Sequence, residues 1–342
     1  MAVAGGGEPV NAVKLEDIAR ELGISTSTVS RALSGKGRVG EKTRQRVLEA
    51  VRESDYTVNA VARSLRLRDA KNIGIIVPDI SNNFFASVIK GAQEVCRQSG
   101  YTLMVCNSEE DADLEEEALR TLLEKQASGL ILASVGRCEG LVAQYARHGV
   151  PIVFIDNIPE GADSSEVVSI DNYAAARELT QAMLARGYRD VGMITGPNDQ
   201  STGSLRRMGF ESALQDAGIP VRDHWVLEGD FRMASGRACM EKILRMRDRP
   251  RAMIIANNYM TYGAVNAIRE AGLRIPEDIA LAAFDAYDET GLITPLITSL
   301  NQPAQQIGKH AAEIILSRLR NEPAPACAQA TLRPVLFAGG SW

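Results

Sequence analysis

Residues 13–33 read VKLEDIARELGISTSTVSRAL, and this stretch decides how the N-terminal part folds. Leu15, Ile18, Ala19 and Leu22 fall at i, i+3, i+4 and i+7, one face of a helix. Gly23 follows, where the turn residue after a helix belongs. Ile24, Val29 and Leu33 form the apolar side of a second helix, which Ser25 or Thr26 can cap. Ala19 is small enough for the two helices to approach, and Ile24 and Val29 fill the space between them. The pattern is that of a helix-turn-helix unit. Its second helix presents Thr26, Ser27, Ser30 and Arg31 outward, short or basic side chains suited to a DNA major groove. The competing reading is a structural three-helix unit with a polar face. The third helix is expected over 41–53, with Val47, Leu48 and Val51 inside and Glu41 at its N-terminal end, where negative charge is favoured.

Outward from this unit the texture changes in both directions. Residues 1–12 are Gly-rich and polar, which predicts a disordered tail, so the headpiece is placed at 13–57. Residues 56–58 look extended, and Asn59 can cap a short helix over 60–67. That segment carries Arg63, Arg66 and, just beyond it, Arg68, with few apolar residues to bury. A helix of this kind gains order from a partner, and 58–70 is read as a hinge. From Lys71 onward, apolar runs alternate with helical stretches. Strands are predicted at 73–77, 103–106, 130–133, 152–155, 191–195, 225–229, 253–256 and 279–284. Helices are predicted at 84–99, 114–125, 141–148, 207–217, 234–246 and 262–271. Continuous apolar strands between helices imply an α/β fold with parallel sheets covered on both faces, and the length supports two such sheets. Parallel sheets place ligands beyond the carboxyl ends of their strands. Asp79, Asn157, Asn198, Asn257, Asn258 and Asp285 fall there.

Composition narrows the function classes. The 342 residues are 45% apolar and 24% charged, enough to bury a large core, which excludes a disordered or fibrous chain. No run of about 18 apolar residues offers a membrane span, and the first residues have neither a basic nor an apolar signal region. Five scattered cysteines (96, 106, 138, 239 and 327) without a CxxC pair suit reduced thiols in a cytoplasmic protein. The net charge of −5 is uneven. Residues 1–72 hold 13 Lys and Arg against 9 Asp and Glu, a net of +4, and the remainder holds 25 against 34, a net of −9. A basic head on an acidic body points to a polyanion at the head alone, with ordinary scatter as the alternative.

The quoted headpiece, continuing through GRVGEKTRQRVLEAVRESDYTVNAVARSLR, resembles the lactose-repressor family of bacterial transcription regulators. The resemblance covers nearly the whole chain. It runs through IGIIVPDISNNFFASVIKGAQ, IDNYAAARELTQAMLARGYRDVGMITGP, RRMGFESAL, ANNYMTYGAVNAIREAGLRIPEDIALAAFD and TSLNQP. It implies a helix-turn-helix headpiece, a hinge helix and a two-lobed periplasmic-binding-protein-like core. The lobes are expected at about 71–170 with 300–328, and at about 171–299 with 329–342. The family pattern puts Thr26 and Ser27 at the base-reading positions. Ser25, Thr28, Ser30 and Arg31 fall at phosphate or base contacts, and Arg38 in a loop near the backbone. Within Ala62-Arg63-Ser64-Leu65, Leu65 matches a hinge leucine that wedges into the minor groove, and Ala62 and Arg63 just before it are further DNA-binding positions. The effector is implied between the lobes, with Phe84 or Phe85 stacking on a ring face. Arg206 grips hydroxyls or a carboxylate, and Asp285 accepts hydroxyl protons. Asp79, Asn157, Phe231, Asn258 and Gln302 also fall at pocket positions. Asn258 stands where aspartate is frequent, and Ala286 where a second acidic or polar residue is frequent. The polar set suits a monosaccharide or sugar acid better than a purine.

Other motifs are weaker. Residues 35–40 fit GxGxxG but follow a helix, so the dinucleotide context is missing. The three histidines lack ligand spacing, and the acidic run 111–117 reads as a solvated helix start. No nucleophile elbow, P-loop or metal motif asks for a catalyst or cofactor. The expectation is a homodimeric regulator, in most cases a repressor, binding a palindromic operator in double-stranded DNA, because two headpieces need two half-sites. The chain ends FAGGSW without leucine heptads, so no tetramer is expected. A solute-binding protein without DNA function, or a sugar-acting enzyme with an accessory headpiece, are the alternatives.

Overall fold

The structure is a computed structural model that describes residues 15–34, 39–54, 71–136, 138–159, 167–286, 288, 291–323, 325 and 331–342. The expected tail (1–12), the loop residue Arg38 and the hinge with Ala62, Arg63 and Leu65 lie outside these residues. The chain divides into two compact units, residues 1–68 and 69–342.

In the first unit, α1 (Leu15–Leu22), α2 (Thr26–Ser34) and α3 (Glu41–Glu53) pack around Ile18, Ala19, Val29, Ala32 and Val47, all buried. Gly23 sits at φ +65°, the left-handed conformation that ends α1, and Ile24 N–H closes the turn onto the Ala19 carbonyl at 3.0 Å. Ser25 Oγ accepts Thr28 N–H at 3.2 Å and so caps α2.

The second unit holds two sheets. The first contains β1 (Asn72–Val77), β2 (Thr102–Asn107), β3 (Gly129–Leu132), β4 (Ile152–Ile155) and β5 (Val167–Val168). Its order is β2-β1-β3-β4-β5, with every pairing parallel. Its helices are α4 (Asn83–Gln98), α5 (Ala112–Glu124) and α6 (Glu139–Arg147). The chain then enters α7 (Asn172–Ala185), β6 (Val191–Thr195), α8 (Ser201–Asp216), β7 (Val226–Glu228), α9 (Met233–Leu244), β8 (Ala252–Ile255), α10 (Asn258–Glu270), β9 (Ala280–Phe284) and β10 (Thr298–Asn301). It returns to the first sheet as α11 (Ala304–Leu319), which packs on α4, and ends in β11 (Val335–Phe337) of the second sheet. The second sheet runs β11-β10-β9-β8-β6-β7, parallel except for the antiparallel edge strand β11.

Central strands are buried on both faces, which is why they read as unbroken apolar runs: β3, β4, β6, β8 and β9 are buried throughout. The α4–α11 contact is closest at Gly91 and Gly308. A Cβ at Gly308 would lie 1.9 Å from the Val88 carbonyl oxygen, and one at Gly91 2.1 Å from that of Gln305. Ser341 Oγ donates to the Leu281 carbonyl at 2.6 Å and accepts Thr298 N–H at 2.8 Å, tying the last residues into the second sheet.

Candidate functional site

The headpiece offers one polar face. Ser25, Thr26 and Ser27 are exposed at the N-terminal end of α2 and Arg31 in its last turn, with Thr28 and Ser30 half-buried between them. Ser25 Oγ lies 2.8 Å from both Ser27 Oγ and Thr28 Oγ1, so the short hydroxyls form one patch of donors and acceptors. All six described headpiece positions singled out in the sequence therefore lie on α2 or at its cap.

In the second unit a cavity of about 470 Å³ opens between the two sheets, at the carboxyl ends of their strands. Asp79, Phe84, Phe85, Asn157, Arg206, Phe231, Asn258, Asp285 and Gln302 all line it, and Asn257 does too. Asn198 does not; its amide bonds Glu228. Phe84 and Phe85 meet edge to face with centroids 5.0 Å apart. The Phe231 ring lies over Gly196, whose missing side chain makes the room, and Asn257 Nδ2 holds the Phe231 carbonyl at 2.8 Å.

Arg206 is the most constrained of these groups. It is 2% exposed; Nε donates to Asn172 Oδ1 at 2.8 Å, Nη1 donates to the Ala256 carbonyl, and the guanidinium carbon lies 4.2 Å from the Phe284 ring centroid. Nη2 has no hydrogen-bond partner, and neither do Thr202 Oγ1 and Gln302 Oε1, two further buried atoms of the cavity wall. Such atoms cost about 1–3 kcal/mol each when left unpaired, so the residues around the cavity keep hydrogen-bonding capacity that no protein group meets.

Two aspartates flank the arginine. Asp285 follows β9 at φ +55° and Asp156 follows β4 at φ +56°, the same left-handed step at the end of a strand in each sheet. Gln302 binds both Asp285 oxygens, N–H to Oδ1 at 2.8 Å and Nε2 to Oδ2 at 2.7 Å. Burial pushes the Asp156 carboxyl up to about 6; Arg206 opposes this and Asp285 adds to it. Burial also raises Asp285, against Arg206 and Gln302, and it lowers Arg206, against both aspartates. Glu110 lines the same cavity and rises to about 7, through burial and then Asp156. The Asp79 carboxylate is engaged locally, its Oδ1 accepting Ser81 N–H and Oγ–H at 2.8 and 2.6 Å.

Sequence reasoning missed Asp156, Glu110, Thr202 and Asn82. Asp156 had a signal: it directly follows a predicted strand, one position before the chosen Asn157. The structure spends Asn157 on loop geometry instead. Its Oδ1 accepts from Ser201 N–H and Oγ–H, and its Nδ2 donates to the Ser134 carbonyl. Asn258 is likewise engaged, exchanging hydrogen bonds with Asn82 across the cleft (2.7 and 3.1 Å). Tyr259 Oη to Ser81 Oγ at 3.0 Å and Arg232 Nη2 to the Glu109 carbonyl add to this clasp. The acidic run differs from its solvated reading at one residue. Asp111 caps α5, but Glu115 is 1% exposed and takes Ser134 Oγ–H and Val135 N–H, anchoring the loop below the cavity. Among the described residues no group of three or more His, Cys, Asp or Glu could hold a metal ion, and no helix is long and apolar enough to cross a membrane.

Residues 14–59 match the model of bacterial regulatory proteins of the lacI family. Residues 70–333 match that of periplasmic binding proteins and the sugar binding domain of the LacI family. The chain belongs to the LacI family. It is thus a DNA-binding transcriptional regulator with a ligand-binding core, rather than a solute-binding protein that lacks a DNA function. Its LacI-family relatives include the HTH-type transcriptional repressor PurR of Aliivibrio salmonicida, 35% identical over 90% of this chain and 92% of that one. PurR of Edwardsiella ictaluri is 33% identical over 90% and 91%. These relatives are repressors, not enzymes. Among solved structures, a LacI-family regulator from Silicibacter pomeroyi superposes with a TM-score of 0.80 at 28% identity, covering 96% of this chain and 99% of the other. The regulator CelR in complex with cellobiose does so with 0.72 at 27% identity, covering 96% and 100%.

Proposed function

We propose that this LacI-family chain is a cytoplasmic repressor, without catalytic activity, that binds a near-palindromic operator as a homodimer. Its operator affinity is set by a monosaccharide or a close derivative held between the core lobes. The observation that carries the ligand class is the cavity wall. Arg206 Nη2 needs an acceptor, Gln302 Oε1 needs a donor, Thr202 Oγ1 takes either, and the Asp156 and Asp285 carboxylates accept hydroxyl protons. Hydroxyls on a small ring supply donors and acceptors at every carbon, and Phe84, Phe85 and Phe231 give that ring apolar faces. In the headpiece, Thr26 and Ser27 read base edges, while Ser25, Thr28, Ser30 and Arg31 hold phosphates or bases. The hinge role of Leu65, with Ala62 and Arg63, and the loop role of Arg38 extend this reading along the sequence. The coupling is linkage: an effector that favours one core conformation shifts operator affinity by its differential binding free energy.

The test is fluorescence anisotropy of the full chain on DNA from upstream of its own and neighbouring genes. It is run at several salt concentrations, with and without sugars, sugar acids and nucleobases. Tight binding that resists competitor DNA and moves with one sugar is the expected result. Binding that is weak, steeply salt-dependent and unmoved by any compound overturns the reading, and a shift by nucleobases alone overturns the ligand class.

A further inference from the structure

The cavity carries more negative charge than a neutral sugar requires. Five carboxylates line it (Asp79, Glu109, Glu110, Asp156 and Asp285) against two guanidinium groups, Arg206 and Arg232. Arg206 is already opposed by Asp285 and Asp156. Arg232 spends an Nη2 donor on the Glu109 backbone carbonyl. Glu110 stands in the field of Asp156 and Asp230, with the Gln200 side chain as its hydrogen-bond donor and Arg232 as the opposing charge. Beside them, the buried Arg206 Nη2, Gln302 Oε1 and Thr202 Oγ1 have no hydrogen-bond partner in the protein.

From this juxtaposition we infer that the effector is an amino-substituted polyol, whose hydroxyls meet Arg206, Asp285 and Gln302 and whose ammonium meets Glu110 and Asp156. The inference rests on the sugar-class reading above and deepens it. An ammonium is the complement of such a pair: three donors, no acceptor and a positive charge. A carboxylate or phosphate on the ligand meets the opposite field and is rejected. The free cavity relieves part of its charge by taking up a proton, because Glu110 titrates at about 7. Ammonium binding displaces that proton, so affinity for the amine rises from pH 6 to about pH 7.5, above which the amino sugar loses its own proton and affinity falls again.

The experiment is titration calorimetry on the full chain with matched sets: glucosamine, glucose and glucuronate, then the galactose, mannose and ribose counterparts, with adenine and uracil as outgroups. In at least one set the amine is expected to bind about tenfold tighter than the hydroxyl compound, and the acid weakest. Proton release is expected to appear as a buffer-dependent heat at pH 7. Glu110→Gln is expected to abolish both the amine preference and the proton release. It removes a carboxyl group that burial destabilises, so its melting temperature is expected to equal or exceed the wild type's, which verifies the fold. Neutral sugars binding as tightly as their amines, or a preference that survives Glu110→Gln, overturns the inference and leaves the repressor reading standing. Binding by nucleobases alone, or by no member of the panel, overturns both the inference and the sugar class.

Discussion

Arg206 and its two aspartates show how one residue links stability to ligand binding. The guanidinium is out of water, so its charge is tolerated only because Asp156 and Asp285 flank it and Asn172 and the Ala256 carbonyl accept its protons. Burial outweighs that pairing at Asp156, whose carboxyl is pushed up from 3.8 to about 6, with Asp285 adding to the rise. A carboxyl raised on folding stabilises below its unfolded pKa, and that contribution is lost as pH rises through the folded value. Asp156→Asn removes the penalty. The free variant is therefore expected to melt above the wild type at pH 8, with the two converging at pH 4. Thermal melts across this range check it, and a gap independent of pH counts against it. Arg206→Met, in contrast, leaves two facing carboxylates without a cation and is expected to cost about 3 kcal/mol in denaturant unfolding at pH 7.

Elements differ in how well they were legible. Where packing alone sets the residues, sequence and structure agree: α3 spans the expected Glu41–Glu53, and the apolar runs became β1, β3, β4, β6, β8 and β9. The misreadings occur where function or close packing interrupts the pattern. Helix α8 was expected from residue 207 but starts at Ser201; Thr202, Gly203 and Arg206 are buried despite a polar run, because this turn forms the cavity wall. Helix α11 went unmarked by periodicity because it buries a broad face that includes Ala304, Gly308, Ala311 and Ala312, so no narrow apolar stripe stands out. The left-handed steps at Asp156 and Asp285 leave only the weak trace that aspartate tolerates that conformation better than most residues. At this scale Gly308→Ala is a sharp test. Its new methyl meets the Val88 carbonyl, so α11 and α4 must separate, at an expected cost of about 1–3 kcal/mol seen as a lower denaturant midpoint. In the headpiece, Ser25→Ala removes the cap of α2 at a cost of about 1 kcal/mol. Weaker operator binding with unchanged effector titration is the expected signature, since Ser25 belongs to the other compact unit.

Across the whole core, coupling between cavity and operator needs a two-state element, and the cleft between the lobes supplies one. Asn82 on one side and Asn258 on the other exchange two hydrogen bonds, with Ser81 and Tyr259 adding a third. These bonds exist only while the lobes are together, so they contribute to the closed form and not to either lobe alone. Asn258→Ala is expected to open the cleft in the free protein and to weaken effector binding by about tenfold, equivalent to ~1.4 kcal/mol for a lost pair of buried amide bonds. Direct ligand contact by Asn258 predicts the same loss of affinity but no opening, so the radius of gyration from small-angle scattering separates the two. Asn82→Ser sharpens the distinction, because serine keeps the cap that Asn82 provides to α4 through Phe84 N–H while removing the donor to Asn258. If the pair acts as one clasp, the double variant binds effector no more weakly than Asn258→Ala alone. Additive losses mean instead that the two asparagines act on the ligand separately, and the closure equilibrium must then rest on the Ser81–Tyr259 and Arg232–Glu109 contacts.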